Sequence, residues 1–315
     1  MANAKKSATK GKKFIVTGGA GFIGHHLVAA LIEAGHSVAI IDNLSSGSKK
    51  NIHPKADFYK MDIQSPRVEE VFKKVKPDGV FHLAAIVRVP VSVVDPVGTT
   101  SANVVGAVNV LHIASRLGVK RAVCASSSSV YGNQKKLPLR EDMTPNPRSP
   151  YAMQKLAVEH FSRMAKDLYG LPVVSLRYFN VYGPGIDPTS EYSLVVGKFL
   201  MMKKQGKALP IFGDGKQTRA FCYVDDVVRA TISAMFAKDI EGGEVINVAG
   251  SDAHSVNTVA SMIGAPVKYL KPRPGDVLHT KADTTIAKKL LGWKSEVTFE
   301  EGIARTKAWF EEEYA

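Results

Sequence analysis

The sequence predicts an α/β fold, a doubly wound parallel sheet followed by a smaller C-terminal α/β lobe, and three observations carry the prediction. A short apolar run, Phe14 to Val16, meets a glycine cluster, after which Ile23, Leu27, Ala30 and Leu31 recur at helical spacing; this reads as strand, tight turn, helix. Apolar runs follow at 38–41, 58–61, 79–83, 121–125 and 173–176, separated by amphipathic stretches that include 67–75, 94–117 and 151–169. Short buried strands alternating with helices argue for parallel strands joined by right-handed crossovers. After Asn180 the rhythm changes, with turn clusters at 183–188, 213–215 and 272–275 and shorter elements between them. The expected division is a basic leader at 1–12, a sheet-forming domain at 13–180, and a lobe at 181–315 that returns some elements to the first domain.

The first glycine cluster gives the sheet a purpose. Gly19-x-Gly21-x-x-Gly24 lies where a strand turns into a helix, so its N–H groups approach a pyrophosphate at the positive end of that helix. The second apolar run ends in Asp42, 21 residues after Gly21. A carboxylate there accepts hydrogen bonds from an adenosine ribose and repels a 2′-phosphate, which favours NAD over NADP. A ligand of this kind belongs at the carboxyl ends of the strands, in the cleft between the lobes.

Bulk properties narrow the class. At 315 residues the chain has room for one large domain with an appended lobe, and 45% hydrophobic with 23% charged residues is ordinary for a soluble protein. Of the net charge of +13, five charges are Lys5, Lys6, Lys10, Lys12 and Lys13, in a leader without an apolar segment that reads as a solvated, disordered tail. The remaining excess suits an anionic ligand such as a nucleotide diphosphate; no aromatic-interleaved basic run supports nucleic-acid binding. Cys124 and Cys222 lie in apolar runs without disulfide or metal-ligand spacing, which fits a reducing cytoplasm and no metal site. No apolar run has membrane-spanning length.

Two stretches carry chemistry. In Tyr151-Ala-Met-Gln-Lys155, residues four apart share a helical face, so an ammonium lies beside a phenol. Bringing a phenol from a pKa of ~10 to about 7 takes ~4 kcal/mol, after which it is a usable general base. In Ala125-Ser-Ser-Ser-Ser-Val-Tyr-Gly132, serines leave a buried strand with hydroxyls available to hold a substrate oxygen.

These motifs occur in order with Asp62-Ile63, His82-Leu-Ala-Ala85, Asn103-Val-Val-Gly, Arg177-Tyr-Phe-Asn-Val-Tyr-Gly-Pro184, a run from Gly213 to Asp226, and Arg273-Pro-Gly-Asp276. Together they resemble the extended short-chain dehydrogenase/reductase family, specifically its nucleotide-sugar members, from about Lys13 to the end of the chain. The resemblance implies a Rossmann domain holding NAD against Gly18, Gly21, Phe22, Ile23, Gly24, Asp42, Asn43, Ser45, Ser46, Gly47, Asp62, Ile63, Leu83, Ala84, Ala85, Asn103, Tyr151, Lys155 and Phe179. It implies Ser127, Tyr151 and Lys155 as catalytic groups, with Ser127, Tyr151, Asn180, Leu194, Pro210, Phe212, Arg219, Arg273, Asp276 and Thr280 around a nucleotide-diphosphate sugar. Asn180, Arg219 and Arg273 are expected around the diphosphate, Asp276 on a ribose hydroxyl, and 210–212 near the base.

Dehydratases and decarboxylases of the family place an acid just before Val-Tyr-Gly, where this chain has Ser128 and Ser129. That favours oxidation and re-reduction at one carbon, as in 4-epimerases acting on UDP-glucose and UDP-galactose. Other reactions of the family (decarboxylation, dehydration, reduction) and a non-catalytic NAD-binding regulator are the rival readings. Two departures stand out: Val87, with Arg88 next, replaces a lysine of many 4-epimerases, and Thr280 replaces a bulky tyrosine that some relatives hold against the sugar 2-substituent. A small side chain there leaves room for N-acetylated sugars. Helices 94–117 and 151–169 correspond to those of a four-helix homodimer interface in relatives.

Overall fold

The computed structural model describes residues 11–188, 195–272 and 279–315; the leader expected to be disordered lies mostly outside them. In chain order the strands are β1 (Lys13–Thr17), β2 (Ser37–Asp42), β3 (Asp57–Lys60), β4 (Gly79–His82), β5 (Arg121–Ser127), β6 (Val173–Tyr178), β7 (Val181–Tyr182), β8 (Leu209–Phe212), β9 (Thr218–Ala220), β10 (Cys222–Tyr223), β11 (Val245–Val248), β12 (Ala253–Ser255) and β13 (Val267–Leu270). The helices are α1 (Phe22–Glu33), α2 (Val68–Val75), α3 (Val89–Val94), α4 (Pro96–Thr100), α5 (Gly106–Arg116), α6 (Pro150–Tyr169), α7 (Val195–Lys204), α8 (Val224–Phe236), α9 (Val256–Ile263), α10 (Thr285–Leu291) and α11 (Phe299–Glu313). Seven parallel strands form the main sheet in the order β11-β6-β5-β4-β1-β2-β3, the doubly wound arrangement expected.

Period-two alternation puts apolar side chains on both faces of this sheet. Phe14, Val16, Val38 and Ile40 pack into one apolar layer with Leu27, Val28 and Leu31 of α1 and with α8. Their neighbours Ile15, Ala39 and Ile41 point into the other layer, against Val71 and Phe72 of α2 and Val110 and Ala114 of α5. Helix α1 buries Gly24, Leu27, Val28 and Leu31, the i, i+3, i+4, i+7 stripe of a helix lying on a sheet. Helix α6 is delimited chemically: the Ser149 hydroxyl accepts the Ala152 N–H, Pro150 occupies the first helical position, and Gly170 ends the helix in the left-handed region.

Two elements differ from expectation. The stretch 94–117 is not one helix: Asp95 caps a new start at Pro96, which has no N–H to continue α3, and a π-helical segment (Ser101–Val105) precedes α5. Strand β5 runs on through Ser126 and Ser127, whose backbone stays in register with Arg177 and Tyr178 of β6. From the C-terminal stretch, β11 joins the main sheet beside β6 and α8 packs on α1. The remaining strands form the two-stranded pairs β7–β10, β9–β12 and β8–β13, with α7, α9 and α11 packed among them.

The glycine turn is packed backbone against backbone. Gly18 has φ +72°, and a Cβ on Gly24 would lie 2.1 Å from the Gly18 carbonyl oxygen and 2.8 Å from the Gly19 Cα. Both obstacles are backbone, so neither swings aside. Gly24→Ala is expected to lower stability by about 1–3 kcal/mol and to reduce the NAD retained through purification. Thermal unfolding together with cofactor released on acid precipitation checks this; a variant with unchanged melting temperature and NAD content would contradict it.

Candidate active site

Ser127 ends β5, and its Oγ accepts the Ser129 N–H at 3.2 Å, capping the 3₁₀ turn Ser128–Tyr131. Tyr151 stands in the first turn of α6, where its N–H, an orphan of the helix start, donates to Ser92 Oγ at 3.1 Å. Its phenol lies beside Ser127, whose hydroxyl favours the ionised phenol. Lys155 follows one turn later with Nζ 6.0 Å from the centre of the Tyr151 ring, donating to the Ala125 carbonyl at 2.8 Å. The three residues singled out in the sequence therefore meet at the carboxyl end of β5.

Burial sets the electrostatics. It pushes the Tyr151 phenol up to about 12, against the opposing effect of the Ser127 hydrogen bond. It also brings the Lys155 ammonium down to about 8, while the charges of Cys124 and Glu159 act the other way. At neutral pH the pair is a protonated phenol beside an ammonium. Ionising that phenol at pH 7 costs about 7 kcal/mol, which calls for a further positive charge close to the ring.

Across the sheet, Thr17, His82 and Asn103 brace the backbone beside the glycine turn. The Thr17 hydroxyl and His82 Nδ1 are 2.8 Å apart, and Thr17 Oγ1 also accepts the Ala84 N–H at 3.3 Å, so Leu83, Ala84 and Ala85 lie along the glycine turn. A Cβ on Gly18 would meet the Ala84 nitrogen at 2.7 Å. Burial and the charge on Lys155 lower His82 to about 3, which keeps it neutral. Asn103, in the π segment, accepts the Ile86 N–H at 2.6 Å and donates to the Ile86 carbonyl and to Gln154. It therefore fixes the loop after β4, and Gln154 in turn binds Thr99 and Thr100. Only the spacing inside Tyr151-x-x-x-Lys155 hinted at Gln154, one residue before the lysine.

The dinucleotide side fits an adenosine diphosphate. Asp42 is 7% exposed and accepts the Ala20 and Leu44 N–H groups at 3.0 and 2.8 Å, leaving lone pairs for a ribose. Asn43 donates to Asp62 at 2.9 Å and accepts from the Ser45 N–H, which shapes the loop carrying Ser46 and Gly47; a Cβ on Gly47 would lie 3.0 Å from Ala20 backbone atoms. Phe22 and Ile23 open α1 behind Gly21, and Ile63 packs against Gly106. Phe179 is fully buried beside Tyr131, 6.2 Å between ring centres, at the end of β6. Arg88 pairs with Asp187 at 3.0 Å.

On the lobe side, Asn180 takes a left-handed φ of +31° and donates to the Ala220 carbonyl at 2.8 Å. Thr280 Oγ1 accepts the Ala220 N–H at 3.1 Å, and its own N–H donates to the Thr218 carbonyl. Arg219, between them on β9, donates to the Thr218 carbonyl at 2.9 Å. Pro210 and Phe212 lie on β8, opposite Lys268 and Leu270 of β13. Leu194, Arg273 and Asp276 lie outside the described residues.

A phosphate-cradling glycine turn, an acid closing the next strand, and a serine, tyrosine and lysine at the strand ends define a nicotinamide-dependent site for alcohol–ketone chemistry. The chain belongs to the NAD-dependent epimerase/dehydratase family, whose model matches residues 14–249, and NAD is its cofactor. It is similar to the UDP-glucose 4-epimerase of Mycolicibacterium smegmatis, 40% identical over 308 residues covering 94% of this chain and 97% of that one. It is also similar to the crystal structure of UDP-glucose 4-epimerase from Thermotoga maritima with UDP-glucose, at 38% identity and TM-score 0.92 over 96% of this chain and 100% of that one. A third likeness is to UDP-glucuronic acid 4-epimerase from Bacillus cereus in complex with UDP-glucuronic acid and NAD, at 32% identity and TM-score 0.88 over 96% and 100% of the two chains.

Neutral, buried His82 makes the wall acid-sensitive. Because its folded value lies far below the ordinary 6.5, the unfolded chain binds the extra proton and stability falls as pH drops below 6.5. At pH 5 the loss is about 2 kcal/mol from this histidine alone. Chemical unfolding at pH 7 and pH 5, on the wild type and on His82→Gln, checks it: the wild type should lose more between the two pH values, and equal losses would contradict the assignment.

Proposed function

We propose that the protein is a nucleotide-sugar 4-epimerase that interconverts UDP-glucose and UDP-galactose and also accepts their N-acetylhexosamine forms. The observation that carries this reading is the Ser127–Tyr151–Lys155 arrangement at a strand exit where Ser128 and Ser129 stand in place of an acid. Eliminating water needs a group to protonate the leaving hydroxide, and the buried carboxylate nearest the site, Glu159, is held by Arg177 and Ser126.

In this reading, Tyr151 as phenolate takes the proton of the sugar 4-hydroxyl, with Ser127 sharing that hydrogen bond. NAD⁺, held by the glycine turn and Asp42, would supply the positive charge beside the ring and the hydride chemistry at carbon 4. The proton goes back from Tyr151, so nothing is consumed. Lys155 keeps the phenolate stable while it exists. The lobe holds the diphosphate and the base, so that the keto sugar turns over without leaving. Thr280 is tied to β9 by its hydroxyl and has no bulk to fill the space a 2-substituent needs.

Incubating the holoenzyme with a panel of UDP-sugars and following products by NMR tests the proposal. UDP-galactose and UDP-N-acetylgalactosamine should each yield their 4-epimer without added cofactor or net NADH. Tyr151→Phe should lose about 10²–10⁴-fold in kcat with NAD content unchanged. Conversion of UDP-glucuronate alone, release of carbon dioxide, or net NADH would replace this reading with another reaction of the family.

We also infer a cytoplasmic homodimer. Both cysteines are buried and unpaired, as suits a reducing compartment, and no helix among the described residues is long and apolar enough to cross a membrane. Val94 (83% exposed), Val97 (80%), Val93, Val105, Met153 and Leu168 crowd α3 to α6 with apolar surface. A second copy packed helix to helix would cover it. Sedimentation should give a dimer at micromolar concentration, and Val94→Glu with Val97→Glu should give monomers; a monomeric wild type would refute the inference.

A further inference from the structure

One buried ion pair serves no step in the chemistry above. Glu159 and Arg177 have side chains 4% and 3% exposed and form a two-pronged contact, Arg177 Nε to Glu159 Oε1 at 2.9 Å and Nη2 to Oε2 at 2.7 Å. Glu159 sits one helical turn after Lys155 on α6, and Arg177 lies on β6 in register with Ser126 of β5. The Ser126 hydroxyl donates to Glu159 Oε1 at 2.5 Å. The Arg177 guanidinium also lies over the Tyr131 ring, 4.5 Å from its centre, and the Tyr131 hydroxyl donates to Asn247 at 2.8 Å.

Stability is a weak reason for such a pair, because taking two charges out of water costs as much as their attraction returns, and apolar residues of the same volume do as well or better. Its place suggests another reason. Consecutive residues at the end of β5 meet α6: the Ala125 carbonyl is tied by Lys155 and the Ser126 hydroxyl by Glu159, and Ser127 lies beside Tyr151. The charged or titratable groups around Lys155 are Tyr151 and Glu159 on its own helix, Cys124 on β5 and His82 on β4. His82 stays neutral and burial pushes the Cys124 thiol up to about 12, so near neutral pH Glu159 is the anion among them.

We propose that the Glu159–Arg177 pair is a positioning element for the reaction: clamped by the arginine fork, Glu159 holds the strand end that bears Ser127 and keeps the Lys155 ammonium charged while Tyr151 exchanges its proton. Arg177 prevents the carboxylate from turning onto the lysine, which would draw the ammonium away from Ala125 and the tyrosine. The kinetic part rests on the epimerase reading; the charge on Lys155 does not.

The test uses the NAD-bound enzyme labelled with ¹³Cε-lysine, with the Lys155 signal assigned through Lys155→Met. Glu159→Gln keeps shape and removes charge; Glu159→Gln with Arg177→Met removes both charges and leaves no orphaned cation if the single variant fails to fold. The Lys155 titration midpoint should fall by about one pH unit, a tenfold loss of ammonium at a given pH above it, and by less in the double variant, where the arginine charge is gone too. With a turned-over UDP-sugar, kcat should drop about tenfold with KM within about twofold, since chemistry is affected and uniform binding is not. The ammonium disappears as pH rises, so a lower midpoint moves the alkaline limb of kcat to lower pH. An unchanged midpoint in whichever variants fold overturns the proposal even if no substrate is found. A shifted midpoint with unchanged kcat and unchanged limb overturns its kinetic half alone.

Discussion

An ammonium group 5% exposed must find its partners inside the protein, and much of the site follows from satisfying Lys155. One of its protons goes to the Ala125 carbonyl, which requires β5 to present that carbonyl toward α6 and α6 to lie across the strand end. Once the helix is so placed, a residue one turn earlier, Tyr151, falls beside Ser127. A residue one turn later, Glu159, falls beside Ser126 and Arg177. The sheet contributes in the same way: His82 on the adjacent strand must remain neutral near a buried cation, and its hydrogen bond to Thr17 turns that constraint into a brace for the loop lying along the glycine turn. Cofactor wall and proton-transfer groups are thus parts of one packing solution.

Much of this was legible in the sequence because the signals are local. The apolar run Phe14-Ile15-Val16, three glycines at a strand-to-helix turn, and a tyrosine four residues before a lysine each state a geometry within a few residues of chain. What escaped reading depends on partners distant in sequence. Strand β11 is four residues in an irregular region, and it becomes a strand because β6 offers it an edge. The π segment at Asn103 exists because that side chain saturates the backbone of Ile86, 17 residues away. Glu159 and Arg177 are 18 residues apart and look like an ordinary helical acid and a strand arginine until β6 is laid beside β5.

The lobe divides the work differently. Asn180, Ala220, Thr218 and Thr280 are linked by short hydrogen bonds in which side chains bind backbone, and this ties the end of the main sheet to β9 and to the chain around 280. Substrate groups expected on Arg219 and Thr280 therefore hang from a frame continuous with the catalytic strands. A frame of that kind suits an intermediate that must rotate in place: the anchoring half is fixed relative to Tyr151, and freedom is left to the sugar.

The serine-lined strand exit and the buried ion pair answer one chemical demand from opposite sides. A reaction that takes a proton and a hydride and later returns both needs a base whose proton is held nearby, and it needs no acid able to expel a hydroxide. Hydroxyls at Ser127, Ser128 and Ser129 meet the second condition, because none protonates a leaving group near pH 7. The first condition requires negative charge close enough to support Lys155 but denied to the substrate. A carboxylate in the strand exit would support the lysine and also reach the sugar. Glu159, one turn further along α6, is occupied by Arg177 and Ser126. On the proposals above it would support the lysine from outside the strand exit, and the placement of the acid, more than its presence, would favour reversible oxidation over elimination.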